Sequence, residues 1–250
     1  MPVAHYENFP VASLLLPASL RAPIEVIYRF ARKADDIADE GDDLPEARLA
    51  KLRDCRAEIE RIVREHALPR EPFADLLDAF SQDVTKTRYA DYAELLDYCR
   101  RSANPVGRLL LHLFKRTSET ALRQSDAICT ALQQINFWQD AAADYARGRI
   151  YLPQDEMARH GVTEAHLAGQ RCDPAWRALL RFQIARSREL MLSGAPLGRA
   201  LPGRVGMEIR ATVQGGLRVL EKIERAGYDV FRRRPVLRWH DWPMLLARAL

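Results

Sequence analysis

"LRAPIEVIYRFARKADDIADE", Leu20 to Glu40, carries apolar residues at Ile24, Ile27, Tyr28, Ala31 and Ala34. Steps of three and four lay these side chains along one stripe of a helix. Leu109, Leu110, Leu113 and Phe114 repeat the spacing farther on. Alternating β-branched segments joined by Asn-Gly or Asp-Gly turns are missing from the sequence. The chain therefore reads as all-α, with helices at about Ala22 to Asp39, Pro45 to His66, Glu71 to Gln82, Asp91 to Lys115, Glu119 to Tyr145, Pro174 to Leu192, Arg204 to Arg225 and Pro235 to Ala249. Pro23, Pro45, Pro72, Pro174 and Pro235 are each expected in a first helical turn, where a proline forfeits no hydrogen bond. "LSGAPLGRALPGRVG", Leu192 to Gly206, is expected to be a loop inside one domain spanning residues 1–250.

The 250 residues are 48% hydrophobic and 29% charged, enough for one sizeable core. A net charge of +4 is compatible with nucleic acid, an anionic membrane surface or a phosphorylated small molecule. Basic residues alternate with acidic ones and no recognition motif is present, so nucleic acid is not an expected partner. Cys55, Cys99, Cys129 and Cys172 form no C-x-x-C pair, which argues for reduced structural thiols over a zinc site or a disulfide framework. Neither G-x-G-x-x-G nor G-x-x-x-x-G-K-[ST] occurs. The N-terminus, "MPVAHYENFPVASLLLP", lacks a basic start and a long apolar run, and no stretch is long enough to span a bilayer. The expectation is a cytoplasmic protein, peripheral at most to the inner membrane face.

Acid is concentrated where the first helix ends. "ADDIADEGDD", Ala34 to Asp43, holds six carboxylates in ten residues. Asp35 and Asp39 lie four apart on one face, against like-charge repulsion and the negative end of the helix dipole. A run of this kind is usually a solvated helix end, and Asp42 and Asp43 are expected to cap or precede the helix at Pro45. A second pair weighs against that reading. In "QQINFWQDAAADYARGRIYLP", Gln133 to Pro153, Asp140 and Asp144 are again four apart. Two such pairs on facing helices could hold hydrated Mg²⁺ ions against a diphosphate, with Arg32, Lys33, Arg147 and Arg149 contributing charge-assisted bonds.

The residues resemble those of the squalene/phytoene synthases, an all-α family of head-to-head prenyl synthases with an isoprenoid-synthase helix bundle around a central cavity. The resemblance runs through "HYENFPVASLLLP" from His5, "LRAPIEVIYRFARKADDIADE", "YCRRSANPVG" from Tyr98, "QQINFWQDAAADYARGRIYLP" and "RAGYDVFRRRP" from Arg225. It implies that Asp35, Asp39, Asp140 and Asp144 hold Mg²⁺ and diphosphate, and that Gln133 and Asn136 line the cavity. It further implies phosphate contacts from Arg32, Asn8 and one of Arg233 or Arg234, with Tyr28 and Phe9 lining the site. His5 is a further candidate for phosphate. Phe137 and Trp138 could shield a carbocation, with plain packing as the alternative.

Departures from the family pattern refine the expectation. Arg100 and Arg101 stand in "YCRRSANPVG" where a tyrosine is usual, Gln139 replaces the arginine before Asp140, and Gly215 or Gly216 replaces a tyrosine near the C-terminus. Arg100 is expected to bind diphosphate or close a second substrate pocket, with a surface ion pair as the alternative. The pattern resembles the bacterial branch of hopanoid pathways that converts presqualene diphosphate to hydroxysqualene, a carbon–oxygen lyase reaction. Other enzymes of that pathway would then be partners. Rival readings are a complete squalene or phytoene synthase and a non-catalytic helical scaffold. "FRRRPVLRWHDWPMLLARAL", Phe231 to Leu250, is expected either to touch an anionic membrane transiently through Trp239 and Trp242 or to form a last packed helix.

Overall fold

The computed structural model describes residues 18–39, 43–232 and 234–250. Among them the chain is helical throughout, with no strand. It runs through α1 (Ala18–Asp39), α2 (Pro45–His66), α3 (Glu71–Asp83), α4 (Tyr92–Ser102), α5 (Asn104–Leu113) and α6 (Glu119–Ala146). Then follow α7 (Gln154–Arg159), α8 (Glu164–Ala168), α9 (Pro174–Gly194), α10 (Leu197–Ala200), α11 (Gly203–Arg225), a 3₁₀ turn at Trp239–Asp241 and α12 (Trp242–Ala249).

Local chemistry sets most helix starts. Asp91 caps α4 by accepting the Glu94 amide at 2.9 Å, and Asp173 caps α9 by accepting that of Trp176 at 3.0 Å. Pro45, Pro72 and Pro174 occupy first turns as expected. Pro23 does not, because α1 begins at Ala18 and carries the proline inside. Nor does Pro235, which precedes an extended stretch; Pro243 takes the first turn of α12. Asp43 precedes α2 without capping it: Leu44 is the cap residue, and the Asp43 carboxylate pairs with Lys51.

Two other expectations are corrected. Asp91 to Lys115 is two helices, because Pro105 cannot donate to the carbonyl four residues back and the chain breaks at Ala103. Most of Leu192 to Gly206 is helical. Gly194 ends α9 there because a Cβ on it would lie 2.5 Å from the Gln124 carbonyl oxygen of α6, so this glycine serves packing and not a turn.

Two hydrophobic clusters result. One gathers Phe30, Leu52, Ile59, Phe73 and Leu76 between α1, α2 and α3, with Phe30 and Phe73 meeting edge to face at 5.2 Å. The larger surrounds α6, which packs most extensively on α9, and includes Trp138, Trp176, Leu180, Val219 and Leu220. The helix bearing the first acidic pair thus belongs to one cluster and the helix bearing the second pair to the other.

Candidate active site

The end of α6 joins the two halves. Gly148, at φ 81°, adopts the left-handed conformation that closes a helix, while the Gly148 amide reaches the Tyr145 carbonyl at 2.9 Å and that of Arg149 reaches Asp144 at 2.8 Å. This turn sends the Arg149 side chain back across the bundle. Its guanidinium pairs with Asp39 of α1 at 2.7 Å and donates to the Asp83 carbonyl at the end of α3 at 3.1 Å. On α1, Arg32 pairs with Asp35 at 3.3 Å and with Asp36 at 2.8 Å.

The carboxylates feel one another. Burial pushes Asp144 up to about 7, reinforced by Asp140 and Asp39 and opposed by Arg147 and Arg149. Burial likewise pushes Asp35 up to about 6, with Asp39 adding and Arg32 opposing. Asp83 rises to about 7 for the same first reason, although the Tyr98 hydroxyl and Arg149 oppose the shift. Asp35, Asp39, Asp83, Asp144 and Arg149 therefore form one electrostatic unit in which negative charge is in excess.

Hard oxygen donors under such mutual repulsion fit a divalent cation. Among the described residues no three acidic, His or Cys side chains converge into an all-protein metal cage. Mg²⁺ suits this arrangement, since it binds through one or two carboxylates and completes its shell with water and phosphate oxygens.

The segment after α11 covers Asp140. Arg234 pairs with its carboxylate, one bond measuring 2.9 Å, and donates to Asn136 Oδ1 at 3.3 Å. Gln139, fully buried, donates to the carbonyl of Pro235 and so fastens the residue next to Arg234. Gln139 thus tethers the segment that carries Arg234. Gln133 lies half-buried on the same face of α6 as Asn136 and Asp140, and Tyr28 lies half-buried one turn before Arg32 on α1. His5, Asn8, Phe9 and Arg233 lie outside the described residues.

Arg100 is placed elsewhere. It is exposed and pairs with Asp97 at 2.9 Å, the surface ion pair given as the alternative. Arg101 pairs with Asp97 and also donates to Gln82 at 2.7 Å. Trp138 is core, its indole N–H donating to Ser187 at 2.9 Å; Ser187 in turn donates to Gln134, and Gln134 to the Tyr92 hydroxyl. Phe137 does face the site, stacked on Tyr151 with centroids 3.9 Å apart. These two rings, with Ala141, Asp144, Arg149, Ile150, Leu152 and Leu167, enclose a space of about 10 Å³. At Gly216 a Cβ would lie 2.6 Å from Met191 and 3.3 Å from Ile135 and Leu132, so close approach of α11 to α6 and α9 excludes a tyrosine.

Asp83, Tyr98 and Tyr151 were not singled out from the sequence. The signal for Asp83 was available: it continues the buried stripe Phe73, Leu76, Leu77, Phe80, where an acid is out of place.

Residues 3–241 match the squalene/phytoene synthase family. The chain belongs to that family. Its members are enzymes of isoprenoid biosynthesis that act on prenyl diphosphates. This squalene/phytoene synthase is 38% identical over 218 residues to the hydroxysqualene synthase of Rhodopseudomonas palustris, covering 81% of this chain and 74% of that one. It is 30% identical over 263 residues to the phytoene synthase of Thermus thermophilus, covering 98% and 89%. The crystal structure of squalene synthase HpnC from Alicyclobacillus acidocaldarius superposes with a TM-score of 0.83 at 34% identity, covering 91% of each chain. The all-α isoprenoid-synthase fold is thereby shown. No helix among the described residues is long and apolar enough to cross a membrane.

Proposed function

We propose that this protein is a hydroxysqualene synthase, ionising presqualene diphosphate in a Mg²⁺-dependent step and capturing the cation with water to release hydroxysqualene and diphosphate. The observation that carries the reading is the meeting of the two aspartate pairs through Arg149, which bonds Asp39 and opposes the charge of Asp144. The likeness to the Rhodopseudomonas palustris hydroxysqualene synthase supports the choice of substrate.

In this reading Asp35 and Asp39 from α1 and Asp140 and Asp144 from α6 hold the Mg²⁺, which when bound supplies positive charge to the departing diphosphate. Arg32, Arg149 and Arg234 lie against these carboxylates and bind the phosphate oxygens as charge-assisted donors. Asn8 adds a donor and Phe9, Tyr28, Gln133 and Asn136 line the cavity, as the family resemblance implies. Phe137 and Tyr151 offer aromatic faces to the cation after the carbon–oxygen bond to diphosphate breaks, and they exclude bulk water. Water, not hydride, then closes the reaction, so no nicotinamide is required. We place the reaction within hopanoid biosynthesis, between an enzyme that makes presqualene diphosphate and one that consumes hydroxysqualene.

The test offers purified protein and Mg²⁺, without nicotinamide, either presqualene diphosphate or farnesyl diphosphate and identifies extracted products by mass spectrometry. Hydroxysqualene from the first and nothing from the second is expected. Coupling of two farnesyl or geranylgeranyl units would return the chain to the general synthases, the class of its Thermus thermophilus relative.

A further inference from the structure

The last helix of the chain turns an apolar face outward. α12 packs on α11 and buries Leu245 and Ala249. Trp242, Pro243, Leu246 and Ala247 are exposed, and Leu250 follows one turn after Leu246. A helix of 3.6 residues per turn places these five on one arc of about 140°, turned away from the buried pair. Trp239, in the 3₁₀ turn just before, extends the stripe. Trp239 is 84% and Leu250 90% exposed. Among the described residues, four of the seven exposed large hydrophobic side chains, Trp239, Trp242, Leu246 and Leu250, thus gather here. Single apolar residues at a surface need no explanation, whereas a contiguous stripe marks an interaction surface.

Charge narrows the partner. From Asp229 to Leu250 the sequence holds five arginines against two aspartates. Both acids are compensated, Asp229 by Arg232 at 3.5 Å and the buried Asp241 by Arg218 at 2.9 Å and by Lys222. Glu221 of α11 pairs with Arg218 and with Arg248 of α12. Arg238, next to Trp239, is exposed and its side chain makes no ion pair among the described residues. At the other end, Arg210 donates to the carbonyls of Ala249 and Gly198, which brings α10 and its exposed Arg199 to the end of the stripe. Tryptophan and leucine bordered by arginine suit the headgroup boundary of an anionic bilayer. A second copy of the chain would present the same arginines, so like charge opposes that pairing.

We propose that the 3₁₀ turn and α12 dock this protein on an anionic lipid surface, with Trp239, Trp242, Leu246 and Leu250 entering the headgroup boundary and Arg238 meeting lipid phosphate. The placement serves the site. Arg234 pairs with Asp140, Gln139 fastens Pro235, and Trp239 follows five residues after Arg234, a reach of at most about 18 Å of extended chain. Prenyl diphosphates, on which the family acts, are lipids by their hydrocarbon chains, and docking holds the site close to the phase in which they dissolve.

The test mixes the full chain with vesicles of phosphatidylcholine and phosphatidylglycerol that carry brominated acyl chains, and follows tryptophan emission and co-sedimentation. Trp138 and Trp176 are fully buried, so quenching by bromine reports on Trp239 and Trp242. Quenching at low salt is expected, with affinity at least about tenfold lower for vesicles of phosphatidylcholine alone. Trp239→Ser, at a largely exposed position, is expected to lower co-sedimentation about tenfold with an unchanged melting temperature. Arg238→Gln is expected to weaken binding to the anionic vesicles about fivefold.

Absence of quenching at low salt overturns the proposal, as does equal binding of the wild type and Trp239→Ser. A lipid-free dimer seen by light scattering and broken by Trp239→Ser would assign the stripe to a second copy and overturn it too. None of these readouts uses a substrate, so the outcome is separate from that of the hydroxysqualene reading.

Discussion

Arg149→Gln removes a side chain that ties the turn after α6 to α1 and α3 at the site. The Arg149 to Asp39 pair measures 2.7 Å, with the two side chains 14% and 23% exposed. Breaking a buried pair from one side costs about 3–5 kcal/mol, because the remaining charge is left without compensation. Partial exposure of both partners reduces this to about 2 kcal/mol. Loss of the hydrogen bond to the Asp83 carbonyl adds about 1 kcal/mol. The sum, about 3 kcal/mol, is read by urea unfolding of metal-free protein at pH 8, where the midpoint should fall by about 1 M. In the cycle with Asp39→Asn the double variant should be more stable than additivity predicts, by at least about 1 kcal/mol. A cost below about 0.5 kcal/mol, or strict additivity, would refute the claim that Arg149 holds the two acidic helices together.

Three further outcomes are expected. Asp35, Asp83 and Asp144 have folded pKa values raised to about 6 or 7, so between pH 4 and these values the folded protein holds protons that the unfolded chain has lost. Metal-free stability should therefore fall as pH rises from 5 to 7.5, with Asp83 alone contributing about 2 kcal/mol, and Mg²⁺ should raise the melting temperature more at pH 8 than at pH 6. A flat profile in differential scanning fluorimetry would contradict the charge excess. Asp140→Asn, which barely changes shape, should lower the rate of diphosphate release by about two orders of magnitude; near-full activity would remove Asp140 from the site. Gln139→Leu should leave the Pro235 carbonyl unsatisfied, destabilise the protein by about 1–3 kcal/mol and raise KM more than it lowers kcat. An unchanged KM would show that Gln139 does not position Arg234.

The class of the fold was legible because Ile24, Ile27, Ala34 and Ala38 repeat at the helical period and are buried in the structure as that period requires. Helix starts were legible where a proline or an N-cap acid marks them, as at Pro45 and Asp173. The chain between Leu192 and Gly206 misled because glycine serves two ends. It makes turns, and it also lets a helix approach another backbone, as Gly194 does against Gln124. Only contacts distant in sequence separate the two uses.

The acidic pairs could be picked out because their repulsion contradicts their helices. Their partners could not. Arg149 lies five residues beyond Asp144 yet pairs with Asp39, which nothing in the spacing of either segment specifies. Arg100 illustrates a local partner that the sequence does carry: Asp97 lies three residues before it and pairs with it at the surface. Asp83 stands alone in its segment, and its meaning appears only when the aromatic rings behind it come from α4, α6 and the loop after α6.

The central claim is tested most directly by giving the protein presqualene diphosphate and Mg²⁺ in isotopically labelled water and following the oxygen by mass spectrometry. Hydroxysqualene carrying the solvent's oxygen, formed without nicotinamide and lost when Mg²⁺ is chelated, is the predicted result. Unconverted presqualene diphosphate beside a coupled product from farnesyl diphosphate would contradict it.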